Sequence, residues 1–392
     1  MTSKEWKICK IRELCSSISE TYKRNDEKVI LINTSDVFDG KILNNTSIEN
    51  KNLKGQFKKT FKKDDILYSE IRPANRRFAY VDIDNTDNYI ASTKLMVLRP
   101  NKNKVLSKYL YLILKSDEII EDLQHLAETR SGTFPQITFN SELANIEILL
   151  PPLETQEKIV CVLSSLDDKI ELNNKINQNL EQQAQAIYNQ LILTQELKEK
   201  TLSEIIEITD GTHDSPKVKE EGYYLITSKH LSKYSVNKDN ANYISEEDFN
   251  KINERSKVDK YDILMSMIGT VGLVSLIIEE DIDFAVKNVG IFKTSLQKDY
   301  IYFIFSYLLS SSTQNYIKSH LAGTTQKYIS LGELRNLKIK IPNEKILASF
   351  NKLVHPIYQE IINNTNEIKI LTQLRDTLLP KLMSGEIDVD KI

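Results

Sequence analysis

The sequence predicts an α+β protein: two α/β modules with pseudo-two-fold symmetry, separated by a long antiparallel coiled coil formed by two helical regions. Three observations carry that expectation. The chain repeats itself at about half its length, each copy ends in a heptad-patterned stretch, and each such stretch follows about 140–150 residues of mixed strand-like and helix-like runs.

The repeat is seen by sliding the sequence on itself by 191 residues. SGT (131–133) then meets AGT (322–324), Glu142-Leu143 meets Glu333-Leu334, and Leu150-Pro151 meets Ile341-Pro342. Continuing the shift, Ile159, Leu163, Leu166, Ile170, Asn173, Asn177, Leu180, Ala184, Ile187 and Leu191 stand opposite Phe350, Val354, Ile357, Ile361, Asn364, Ile368, Leu371, Arg375, Leu378 and Leu382. Steps of four and three keep one stripe against a partner helix over many turns, so both stretches read as coiled-coil seams. Asn173 and Asn364 share a seam position; they are either a buried polar pair that sets register or solvated helix residues. His355-Pro356 interrupts the second seam, which predicts a short helix over about 343–355 and a long one from Pro356.

Ahead of each seam, VILI (29–32), FAYVDI (78–83) and LMVL (95–98), then YYLI (223–226), LVSLII (273–278) and VGIF (289–292), read as strands. YLYLIL (109–114) and IYFIFSYLL (301–309) read as helices. DILYSEI (65–71) echoes DILMSMI (262–268) at a shift of 197, so the modules share a plan with different insertions. The expected domains are 1–150, 151–199, 200–341 and 342–392. Seam pairing with modules at opposite ends makes the helices a spacer, on the order of 48 Å for residues 159 to 191, or roughly 14 base pairs of duplex.

Composition narrows the function. Of 392 residues, 40% are hydrophobic and 27% charged, and the longest apolar runs are too short to cross a bilayer. MTSKEWKICKIREL carries charges where a signal core would need apolar residues, which predicts a cytoplasmic protein. Cys9, Cys15 and Cys161 form no CxxC pair, and the five histidines are scattered, so no disulfide framework or metal site is expected. With eleven glycines and neither GxGxxG nor GxxxxGK[ST], a nucleotide cradle is not expected. The net charge is −3, yet residues 51–77 hold nine basic residues against three acids, while 151–199 hold four against eight.

LPPLETQEKIVCVLSSLDDKIELNNKINQNLEQQAQAIYNQ (150–190), DGTHDSPK (210–217), DILMSMIGTVG (262–272) and LRDTLLPKLMSGEI (374–387), in this layout, give the whole chain a resemblance to the specificity subunits of type I restriction–modification systems. The resemblance implies a subunit without catalysis of its own. Its modules, 1–150 and 200–341, would be target-recognition domains that each bind half of a split, asymmetric double-stranded DNA site. The helices would set the gap and dock two methyltransferase subunits, which recruit restriction and translocation subunits. S-adenosylmethionine, ATP and magnesium would then belong to those partners.

Candidate DNA contacts follow from residue chemistry and from this resemblance. Lys54, Lys58 and Lys59 alternate with Phe57 and Phe61, and Arg72, Arg76 and Arg77 follow; such cations neutralise phosphates, and arginine can take a guanine edge. An ordinary solvated loop over buried phenylalanines is the other reading. Thr212, His213, Ser215 and Lys217 lie in a turn that either reaches DNA or only caps its own backbone. Lys229 and His230 end a strand-like run, while Ser131 and Thr133 match Thr324, Thr325, Gln326 and Lys327 across the repeat. Asp65, Glu70 and Arg72 loosely imitate a nuclease metal site, but the echo has Met267 and Gly269 in place of Glu70 and Arg72, so no catalytic residue is assigned. Off-seam Leu172, Ile176, Tyr188, Leu374, Leu379 and Met383 widen the helical apolar faces, where another subunit's helices would fit. Two rivals stand beside this reading: a coiled-coil scaffold joining two binding modules without DNA, and a specificity subunit of another methylase-based defence system.

Overall fold

The structure is a computed structural model that describes residues 6–24, 26–51, 53, 55–130 and 133–391. Compactness divides the chain into two units, Met1–Lys169 with Leu371–Ile392, and Ile170–Ile370.

The first unit holds β1 (Lys7–Lys10), α1 (Ile11–Leu14), β2 (Cys15–Ile18), β3 (Lys28–Ile32), the hairpin β4 (Val37–Phe38) and β5 (Lys41–Ile42), β6 (Ser47–Glu49), β7 (Phe57–Lys59), β8 (Ile66–Ser69), β9 (Phe78–Tyr80), β10 (Tyr89–Ser92), β11 (Leu95–Pro100), α2 (Ser107–Leu114), α3 (Asp117–Arg130), β12 (Glu147–Leu150) and the start of α4 (Leu153–Thr194). One sheet has the antiparallel order β2-β11-β8-β9. A second has the order β6-β3-β10-β7, with β3 and β10 parallel. β1 pairs with β12. Strand side chains alternate between faces, and in β11 both faces are covered: Leu95 and Val97 enter one core, Met96 and Leu98 the other.

The second unit repeats this plan with β13 (Lys198–Thr201), β14 (Ile208–Asp210), β15 (Tyr223–Ile226), the hairpin β16 (Leu231–Ser232) and β17 (Ser235–Val236), β18 (Asn242–Ile244), α5 (Glu246–Ser256), β19 (Ile263–Ser266), β20 (Val274–Leu276), β21 (Phe284–Val286), β22 (Val289–Phe292), α6 (Ile301–Leu309), α7 (Ser311–Ser319), α8 (Leu331–Arg335), β23 (Lys338–Ile341) and most of α9 (Glu344–Met383). The order β14-β22-β19-β20 reproduces β2-β11-β8-β9, β15 and β21 are again parallel, and β13 pairs with β23. The units differ beside β10 and β21: the first adds strand β7, while the second packs helix α5 against β21.

A buried ion pair recurs at one point of the shared plan. Asp65, 2% exposed, accepts two hydrogen bonds from Arg99, at 2.9 and 2.8 Å, and one from the Lys62 amide at 2.8 Å. Asp262, wholly buried, accepts from the Lys293 ammonium and from the Asp259 amide at 2.8 Å. Burial alone would pull the Lys293 ammonium down, but its bonds to Asp259 and Asp262 hold it above the ordinary lysine range. Each pair ties the start of β8 or β19 to the end of β11 or β22.

The long helices pair antiparallel within each unit. In the first, Arg375 donates to Asp167 at 2.9 Å, and Ile159, Leu163 and Leu382 share a core with Leu378 and Leu379. In the second, Asn173 donates to Glu367 at 2.7 Å and Asn364 to Asn177 at 2.9 Å. Asn173 and Asn364 are both buried, so the solvated reading fails, although each bonds a different partner rather than the other. The expected break at Pro356 is also corrected, because α9 runs unbroken from Glu344 to Met383. An interior proline costs about 3 kcal/mol. Phe350, Val354, Tyr358 and Ile361, all buried around it, each contribute about 1.5–3 kcal/mol that only a continuous helix secures. Beyond α9, Gly385 turns at φ +73° against Trp6, and Ile387 and Val389 join the first unit's core.

Replacing Pro356 with Ala is expected to raise stability by about 1–3 kcal/mol by restoring a helical hydrogen bond; an unchanged or lower urea midpoint would contradict this. Lys293→Met strands the buried Asp262 carboxylate and should remove about 3–5 kcal/mol. Loss of less than about 1 kcal/mol in the same titration would show the pair to be dispensable.

Candidate nucleic-acid interface

In the first unit three backbone bonds gather separate segments where β8 ends. The Glu70 amide donates to the Lys94 carbonyl at 3.0 Å, Ile137 to Glu70 at 2.8 Å and Arg72 to Pro135 at 3.1 Å. Residues 70–72, the Thr93-Lys94 link and the 133–137 segment therefore lie side by side. Lys94 Nζ bonds Gln136 Oε1 at 2.9 Å and sits 3.4 Å from Glu70 Oε2. Arg72 and Arg76 flank the Pro73–Asn75 turn in the left-handed region, at φ +46° and +52°. For a residue with a side chain this costs about 1–2 kcal/mol, strain of a kind that gathers at functional sites. Arg76 is paired with Asp117, whereas the exposed Arg72 guanidinium has no hydrogen bond or ion pair among the described residues. Beside this surface lies a cleft of about 560 Å³ whose lining includes Ser16, Ser17, Ser19, Lys59, Glu70 and Asn140.

The second unit assembles the corresponding loops with other side chains. Met267 donates to the Asn288 carbonyl at 3.4 Å, Ile329 to Met267 at 2.9 Å and Gly269 to Lys327 at 3.2 Å. The Asp210–Thr212 turn joins this cluster, since Thr212 donates to Val286 at 3.0 Å and Asn288 donates to Thr212 at 3.1 Å. Only glycine fits at 211, where a Cβ would lie 2.2 Å from the Val286 carbonyl oxygen. His213 bridges Asp210 at 2.9 Å and Asn288 at 2.8 Å, and Arg255 reaches the Asp210 carboxylate at 3.1 Å. Two bonds between Ala322 and Tyr328 close a loop that holds Thr324, Thr325, Gln326 and Lys327 out in solvent.

Comparison with known proteins identifies the plan. The model of the type I restriction modification DNA specificity domain matches residues 3–182 and again 194–376. The chain belongs to the type I restriction–modification specificity family. It is 32% identical to the type I restriction enzyme HindI specificity subunit of Haemophilus influenzae, over 98% of this chain and all of that one. It is 29% identical to the MjaIX specificity subunit of Methanocaldococcus jannaschii, over 74% of this chain and 71% of that one. A crystal structure of the S subunit of a type I system from M. genitalium shares the fold at a TM-score of 0.54 and 17% identity, covering 98% and 97% of the two chains.

Within this specificity chain the expected contacts are not alike. Lys58, Lys217 and Lys229 are exposed, and their ammonium groups, like that of Lys327, form no hydrogen bond or ion pair among the described residues. Lys59 donates to the Thr93 and Leu95 carbonyls at 2.9 and 2.8 Å, and burial lowers its pKa. Arg77 donates to Ser35 and lies 5.3 Å from the Phe38 ring, so both cations brace loops. His230 is corrected: it is 4% exposed, its ring accepts from the Thr227 amide at 3.0 Å, and burial holds it below the ordinary histidine range. Ser215 accepts from Lys287, and Thr133 is exposed. Lys54 and Ser131 lie outside the described residues. Asp65, considered for metal chemistry, is spent on Arg99, and no group of three His, Cys, Asp or Glu among the described residues could hold a metal.

Lys94, Arg255, Lys287 and Asn288 were not singled out from the sequence. Lys94 and Asn288 are 194 apart, so an insertion hides their equivalence from the 191-residue shift.

Seam residues Ile159, Leu163, Phe350, Val354, Ile361 and Leu382 are buried; Leu166, Ile170, Leu180, Ile187, Leu191, Ile357, Leu371 and Leu378 are half-buried. Off the seam, Tyr188 is covered by Phe303 and Phe350 of its own unit and needs no second subunit, while Leu172, Ile176 and Leu374 remain exposed.

Alanine at Lys58 and Arg72 together should weaken duplex binding and lower the slope of log affinity on log salt by about 0.9 for each phosphate that is no longer neutralised. An unaltered slope would show that other cations meet the phosphates.

Proposed function

We propose that this specificity subunit reads a bipartite, asymmetric duplex, one half-site to each module, and carries no catalytic step itself. The observation behind this reading is that one structural plan presents different side chains at matching positions: Arg72, Lys94 and Gln136 in one unit, Gly269, Asn288 and Tyr328 in the other. Two scaffolds alike in backbone and unlike in exposed hydrogen-bonding groups suit two unlike base sequences.

On this reading the helices act as the spacer, and their exposed apolar residues dock two methyltransferase subunits, through which restriction and translocation subunits join. S-adenosylmethionine, ATP and magnesium are then bound by those partners. The complex works in the cytoplasm, where its DNA lies; no helix among the described residues is long and apolar enough to cross a membrane.

The test is to co-express the chain with the methyltransferase subunit of its own operon and map methylated adenines by single-molecule sequencing. A split motif with a fixed gap is expected, and failure of the chains to associate with no motif found would refute the reading. Inserting one heptad into each helix should widen that gap by about three base pairs, since seven residues add about 10.5 Å. An unchanged gap would remove the spacer role.

A further inference from the structure

We propose that the residue linking the two sheets of each unit, Lys94 in the first and Asn288 in the second, determines a base read by that unit. The inference rests on the DNA-reading function proposed above. Lys94 is the second residue of the Thr93-Lys94 link between β10 and β11, and Asn288 the second of the Lys287-Asn288 link between β21 and β22. Each carbonyl accepts from the residue just beyond the neighbouring strand, Glu70 in one unit and Met267 in the other. The two residues therefore occupy corresponding positions, although the backbone is left-handed at Asn288 and not at Lys94.

A phosphate contact tolerates a loose cation, whereas reading a base edge demands a group held in place. Lys58 and Lys217 are of the loose kind. Lys94 is held by Gln136 at 2.9 Å with Glu70 at 3.4 Å, yet keeps 48% of its side chain exposed. Asn288 is half-buried and held by His213 at 2.8 Å, and its backbone sits in the left-handed region at φ +56°, which asparagine tolerates better than most residues. Both are braced and both are reachable. Their chemistry differs: an ammonium only donates and matches the O6 and N7 acceptors of guanine, whereas an amide both donates and accepts and matches adenine.

The full chain is co-expressed with its methyltransferase subunit, and methylation is mapped for the wild type, Lys94→Met and Asn288→Gly. Methionine keeps an unbranched stem, and glycine keeps the left-handed backbone. In Lys94→Met a guanine position of one half-site should become degenerate, with roughly tenfold or greater loss of discrimination and the other half-site intact. In Asn288→Gly the same should befall an adenine of the other half-site. Should either variant lose methylation altogether, Lys94→Gln and Asn288→Asp replace them, with the preferred base shifting at one position toward adenine and cytosine respectively. A wild-type split motif that these variants leave unaltered, or alter in both half-sites together, overturns the assignment while the function stands. No motif in the wild type removes the function and the inference with it.

Discussion

Asp65 and Asp262 are carboxylates taken out of water, tolerated only where a cation and amide donors meet them. Arg99 and Lys293 meet that need from the far end of the adjoining strand, which pins β8 to β11 and β19 to β22 in a single register. Register matters more than usual here because both faces of these strands are buried. A slip of one residue would send Leu95 and Val97 into the core built for Met96 and Leu98. The loops after β8 and β19, and the links before β11 and β22, inherit their positions from those four strands. The polar surface of each unit is thus set by an ion pair at the opposite end of the strands that carry it.

The helices use polarity differently. Asn173, Asn177 and Asn364 are buried polar residues in a seam that is apolar elsewhere except at Arg375, and a misaligned seam would take Glu367 from the Asn173 NH2 group and Asn177 from that of Asn364. The apolar positions supply affinity in many registers; the amides supply one. Pro356 shows the converse, a local preference for breaking the helix overruled by the aromatic and aliphatic side chains packed around it.

Much of this was legible in the sequence because it is periodic. The heptads, the strand-like runs and the shift of 191 residues each report burial, which repeats along the chain. The candidate interface was less legible because partners far apart in sequence decide it. His230 and Lys217 look equally polar on paper, yet one ring is buried as a cap and the other ammonium stands in solvent. Lys59 and Lys58 are neighbours whose side chains leave opposite faces of β7, so only one is drawn to the carbonyls of Thr93 and Leu95. Lys94 and Asn288 show nothing in their own neighbourhood, and their equivalence emerges only from the strand order.

The return of the chain's last turns to Trp6 bears on the order of folding. The second unit is contiguous, Ile170–Ile370, whereas the first needs Leu378, Leu382, Ile387 and Val389 beside Ile159 and Leu163. During synthesis, then, the unit that emerges first is completed last. Until residues 371–391 are made, its core must wait with one wall missing, and a chain cut short there would damage the module encoded at the opposite end.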